Sequence, residues 1–110
     1  SLMTRRESLG EFEHGVLLSI LRLGGEAYSV PIVLELEERT GREVAPAAVY
    51  IALRRLEKKG FLASRLSAAG KGDRNRRYFK LRPAALERLR ESRLSFHRLW
   101  EGIEPLLERK

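Results

Sequence analysis

Apolar residues recur at three- and four-residue intervals through the first half of the chain, then alternate, then return to helical spacing. Phe12, Val16, Leu17, Ile20 and Leu21 mark a first helix. Ser8-Leu9-Gly10-Glu11 matches a capping box, in which two side chains satisfy orphan backbone donors, and Gly24-Gly25 ends the pattern. Ser29 is placed to cap a second helix, with Pro31 tolerated in its first turn. Ile32, Val33 and Leu36 form its apolar face, Glu35, Glu37 and Glu38 its acidic one, and Gly41 its stop. Pro46 opens a third helix where a missing N–H does no harm. Its inner stripe is Val49, Ala52, Leu53 and Leu56, and Gly60 terminates it.

Beyond Gly60 the period changes to two. Phe61 to Ser67 reads as a strand with Leu62 and Leu66 on one face. Residues 68–75 hold Gly70, Gly72, Asp73 and Asn75, which favour turns. Arg76 to Leu81 reads as the returning strand, with Arg77, Phe79 and Leu81 alternating against Tyr78 and Lys80. A long helix follows from Pro83. The expected fold is mainly α with a small β-hairpin wing: a winged helix-turn-helix over residues 8–82 and a C-terminal dimerisation helix over 83–110. Residues 1–7 are expected to be disordered, and Ser1-Leu2 ahead of Met3 reads as a cloning remnant.

In the last helix Leu86, Leu89, Phe96, Trp100, Ile103 and Leu107 recur at alternating three- and four-residue steps, with Arg93 in the missing place. That is a coiled-coil-like seam, and a second copy of the chain is its simplest cover. Pro105 is expected to kink or end the helix near Glu104, a region Gly102 also weakens. Trp100, the only tryptophan, either packs the dimer core with Phe96 or serves as a plate for a flat ligand between subunits. Aromatic stripes at helical spacing favour packing.

Charge sharpens the picture. The chain of 110 residues carries a net +7, and eleven of its Lys and Arg lie between Arg54 and Arg82. Only Glu57 and Asp73 oppose them, so this window is +9 and the remainder is −2. Such a local concentration suits a polyanion, double-stranded DNA above all. The absence of cysteine removes disulfides, thiolate chemistry and zinc-finger sites. No apolar run approaches the roughly 20 residues of a membrane span, and there is no signal peptide, so a cytoplasmic location without membrane contact is expected.

With Val49, Leu53 and Leu56 turned inward, Ala47, Tyr50, Ile51, Arg54 and Lys58 fall on the outer side of the third helix. A major groove accepts one helix, and base edges are read from its N-terminal half. Ala47, Tyr50, Ile51 and Arg54 are therefore the base-reading candidates. Lys58 and the hairpin cations Lys71, Arg74, Arg76 and Arg77 are the phosphate candidates, which position rather than specify. Read blandly, the same residues are an ordinary solvated face and loop.

Four stretches together resemble the PadR family of bacterial transcriptional regulators, over about Ser8 to Leu107. They are Leu9 to Leu18 (LGEFEHGVLL), Ala27-Tyr28-Ser29-Val30, Ala48 to Gly60 (AVYIALRRLEKKG) and the segment Gly70 to Leu81 ending RRYFKL. The resemblance implies a winged-helix homodimer that represses transcription and is released by a small aromatic or hydrophobic effector. The single C-terminal helix is similar to the family's compact subclass, in which the dimer interface can form a ligand cavity. The chain departs from the family pattern at Glu26-Ala27, at Ile51 after the helix tyrosine, and at Arg82-Pro83 where a threonine cap is usual.

An enzyme finds little material. There is one aspartate, Asp73, and two histidines, His14 and His97, on the first and last helices. No nucleophile, base and orienting acid assemble from these, no metal site is expected, and no cofactor is implied. A second rival is a winged-helix module for protein or RNA contact, in which Tyr50 and Tyr78 stack single-stranded bases. The basic residues concentrate instead where duplex phosphates would lie.

Overall fold

Val49, Ala52, Leu53 and Leu56 are all buried, so the helical stripe of the third helix is the centre of the core. The computed structural model describes residues 9–67 and 75–108. Along these residues run α1 (Glu11–Arg22), β1 (Glu26–Ala27), α2 (Ser29–Thr40), α3 (Pro46–Lys58), β2 (Leu62–Ser67), β3 (Arg76–Leu81), α4 (Pro83–Trp100) and α5 (Glu104–Leu107). The fold is mostly helical with one small antiparallel sheet, as the pattern predicts.

The starts of α1 and α2 differ from expectation by a residue or two, while those of α3 at Pro46 and α4 at Pro83 agree. α1 is capped at Gly10, and Glu13 Oε1 accepts the Gly10 N–H at 3.4 Å. Glu11 is thus the first helical residue, not the acid of a box begun by Ser8, which lies outside the described residues. The N-cap of α2 is Tyr28 in an extended conformation, so Ser29 is the first helical residue and does not cap. α3 begins at Pro46 after Ala45, which has no side-chain oxygen to offer. Its entry is held from outside: Glu37 Oε2 on α2 accepts the Val44 N–H at 2.9 Å.

Helices α1, α2 and α3 enclose Val16, Leu17, Ile20, Ile32, Val49 and Leu53, and the inner face of the sheet closes the core with Leu62 and Phe79. Gly15 sits mid-helix, where glycine costs about 1 kcal/mol relative to alanine. A Cβ there would meet Leu36 Cδ2 at 3.2 Å, so the missing side chain lets α2 approach α1 closely. Lys59 Nζ lies 2.8 Å from Glu13 Oε1, tying the end of α3 to the start of α1. Phe12 and Leu21, expected on the inner face of α1, are exposed, and Leu66 shares the face of Leu62 but extends past the core at 57% exposure.

Strand β1 was not expected. Its two residues pair with β3, Glu26 opposite Lys80 and Ala27 opposite Phe79, giving the order β1-β3-β2. β2 and β3 pair antiparallel from Leu62–Leu81 to Ser67–Arg76.

α4 buries only Ala85 and Leu89 and then leaves the body of the domain. It ends at Trp100, earlier than the expected break near Glu104. Gly102 at φ +76° makes the turn, in the left-handed region that a side chain disfavours. Pro105 then falls in the first turn of α5, where its missing N–H is harmless. Among the described residues no helix is long and apolar enough to cross a membrane.

Candidate nucleic-acid interface

The buried stripe of α3 forces its other side outward. Ala47, Tyr50, Ile51, Arg54 and Lys58 are all exposed. The Tyr50 ring meets Phe79 edge-on, with centroids 6.4 Å apart and planes at 82°, so it is anchored on the sheet while the residue remains exposed. The Arg54 guanidinium lies 5.9 Å from the Tyr50 ring centroid and 3.3 Å from Glu57 Oε1.

Register separates two neighbouring cations that sequence reading grouped together. Arg77 shares the inner-facing side of β3 with Phe79 and Leu81, and its Nη1 donates to Ser64 Oγ at 3.0 Å. The Ser64 hydroxyl in turn donates to Glu57 Oε2 at 2.6 Å. Arg77, Ser64, Glu57 and Arg54 therefore form one polar relay from wing to α3. Arg76 is on the opposite face, in line with Tyr78 and Lys80. Lys71 and Arg74 lie outside the described residues.

That opposite face joins Arg76 and Tyr78 to Tyr28 and Arg65, which the sequence pattern gives no role. Arg76 Cζ stands 4.4 Å over the Tyr28 ring, Tyr28 and Tyr78 are 5.4 Å apart at 58°, and Arg65 Cζ stands 4.9 Å over Tyr78. Arg65 Nε also donates to Glu26 Oε2 at 3.0 Å, and this hydrogen bond, followed by the Glu26 charge, raises the Arg65 pKa further. Period-two alternation puts Arg65 in line with Ala63 and Ser67, but Tyr28 joins the face only through β1. Tyr28, Val30, Tyr50, Asn75, Arg76 and Phe79 line an open crevice between the start of α2, α3 and β3.

The C-terminal candidates divide. Leu89 is 7% exposed and enclosed by its own chain, so it belongs to the domain core rather than to an open seam. Leu86 is half-buried. Phe96, Trp100, Ile103 and Leu107 are exposed, and so are Leu94, Leu99 and Leu106 outside the expected seam, Leu99 at 70%. His14 is half-buried on α1, and burial first, the Arg88 charge second, hold its imidazole pKa below the ordinary 6.5. His97 is exposed on α4. Among the described residues no group of three or more His, Cys, Asp or Glu is placed to hold a metal ion.

Residues 17–91 match the family model of PadR-like transcriptional regulators. A PadR family regulator from Eggerthella lenta is 31% identical, with 91% of this chain and 88% of that chain aligned at a TM-score of 0.70. A PadR-like regulator from Bacillus cereus shares the fold at 22% identity and a TM-score of 0.72, covering 90% and 93% of the two chains. Bacillus subtilis PadR, solved in complex with operator DNA, matches 74% of this chain and 45% of its own longer one, at 19% identity and a TM-score of 0.62. No protein of curated function matches by sequence alone. With the model covering most of the winged-helix unit and a relative at 31% identity over nearly its full length, this chain belongs to the PadR-like family of transcriptional regulators.

Proposed function

We propose that the chain is a sequence-specific DNA-binding repressor that acts as a two-fold dimer. α3 enters a major groove, where Tyr50, Ile51, Arg54 and Ala47 meet base edges, and Lys58 with the wing cations meets phosphates. The observation that carries this reading is the pairing of an exposed, mixed aromatic and basic helix face with a basic two-stranded wing beside it. The likeness to Bacillus subtilis PadR, solved with operator DNA, supports it at the level of fold.

The exposure of Phe96, Leu99, Trp100, Ile103, Leu106 and Leu107 supports the dimer, because so many large apolar residues left open at one end of a small protein favour an interface. Its two aromatic residues, Trp100 and Phe96, suit a small hydrophobic or aromatic effector bound between subunits and coupled to release of DNA. A cytoplasmic location follows from a role at DNA.

The test is fluorescence anisotropy with a labelled duplex from upstream of the coding region, against a scrambled duplex and an RNA hairpin, over a salt series. Tight, salt-sensitive preference for the native duplex is expected. Equal binding to all three probes, or preference for RNA, would overturn sequence-specific duplex recognition.

A further inference from the structure

Tyr28 belongs to neither the exposed face of α3 nor the wing. It is the N-cap residue of α2, brought beside the sheet because β1 pairs with β3. There its ring lies under the Arg76 guanidinium at 4.4 Å and tilted against Tyr78 at 5.4 Å, and Tyr78 in turn carries Arg65 at 4.9 Å. The outer face of the sheet thus carries two neighbouring phenol rings flanked by two guanidinium groups, closed at one end by the Arg65–Glu26 pair at 3.0 Å.

This arrangement has a consequence for anion contact. A mobile arginine loses about 2 kcal/mol of rotamer freedom when it is fixed on a phosphate. A guanidinium already stacked on a ring has lost part of that freedom beforehand. Stacking uses the flat face of the group, whereas its donors lie along the edge, in the geometry that suits phosphate. Arg77, one residue on, is committed differently: its Nη1 donates to Ser64 on the inner face.

We infer that Tyr28 is a positioning residue for DNA binding, which holds Arg76 in the orientation that meets the phosphate backbone. This rests on the duplex-binding reading above. Tyr28 acts through Arg76 and need not touch DNA itself.

The test uses the full chain and a labelled duplex of random sequence, because phosphate contacts do not depend on the operator. Wild type, Tyr28→Leu, Tyr28→Phe, Arg76→Ala, Arg76→Lys and the double variant Tyr28→Leu/Arg76→Ala are titrated across salt. Tyr28→Leu is expected to weaken binding about three- to fivefold, the scale of an exposed cation–π contact. It should also reduce the salt slope by about one contact. Tyr28→Phe, which keeps the ring, should bind like wild type. Arg76→Lys keeps the charge but not the planar stack, and should lose as much as Tyr28→Leu. In the Arg76→Ala background, Tyr28→Leu should cost nothing more.

Independent losses in the double variant would overturn the inference, since a residue that merely supports the fold lowers binding in either background. So would wild-type binding by Arg76→Lys, a readout that holds even if Tyr28→Leu unfolds. Absence of salt-sensitive duplex binding by wild type would overturn the DNA reading itself and this inference with it, and is recognised without any variant.

Discussion

The Ser64 hydroxyl donates a 2.6 Å hydrogen bond to Glu57 Oε2, joining the first strand of the wing to the exposed end of α3. Glu57 is one of two acids in the most basic stretch of the chain, and its other oxygen lies 3.3 Å from Arg54. The contact orders the surface and at the same time opposes it, because a carboxylate there repels the phosphate backbone and competes with base edges for Arg54.

Glu57→Gln tests the balance. The amide still accepts from Ser64 but carries no charge. Affinity for a random duplex should rise about two- to fivefold, the scale of one exposed ion pair, and the gain should shrink with salt. Anisotropy titration checks it. A loss of affinity would mean that the relay matters more for shaping the face than its charge matters for repelling DNA.

Arg54→Ala and Arg76→Ala should fail in different ways. Arg54 lies on the exposed face of α3, so its loss should cost roughly 1–3 kcal/mol on the preferred site and little on scrambled sequence. Arg76→Ala should weaken every duplex alike and lower the salt slope by about one. Equal losses on both duplexes for Arg54→Ala would remove it from base reading.

Trp100 provides an oligomerisation test. It is 39% exposed within one chain, beside Leu99 and Phe96, which are more open still. Trp100→Glu places a charge in that surface and should raise the dissociation constant of the proposed dimer about thirtyfold or more, the loss expected at a buried aromatic anchor. Sedimentation velocity over a dilution series reads it. A variant that sediments as wild type would free Trp100 from the interface.

His14 predicts a direction for acid stability. Its folded pKa is lowered, by burial first and by Arg88 second, so the unfolded chain takes up a proton more readily than the folded one. The contribution of neutral His14 is fully present above the unfolded value of about 6.5, and stability falls as pH drops through that value toward the folded one. Thermal melts of wild type should therefore decline below that pH, and His14→Gln should decline less steeply. Parallel curves for the two proteins would remove His14 as the source.

Local pattern was enough for much of this molecule. The 3.6 period placed Val49, Ala52, Leu53 and Leu56 inside and thereby turned Tyr50, Ile51 and Arg54 outward. The switch to period two located the wing, and the position of the cations along the chain is a property of the sequence alone. Tertiary structure decided what depends on partners distant in sequence. β1 has two residues and no periodicity of its own, and exists because β3 offers it a ladder. Pairing carried Tyr28 to Arg76, and packing set Glu13 against Lys59 across 46 residues. Leu89 reads as part of the same seam as Phe96 and Trp100, yet the body of the domain covers it and leaves those two open. Helical spacing specifies which side of α4 is apolar, but only the packed neighbours determine how far along that side the domain's own core extends.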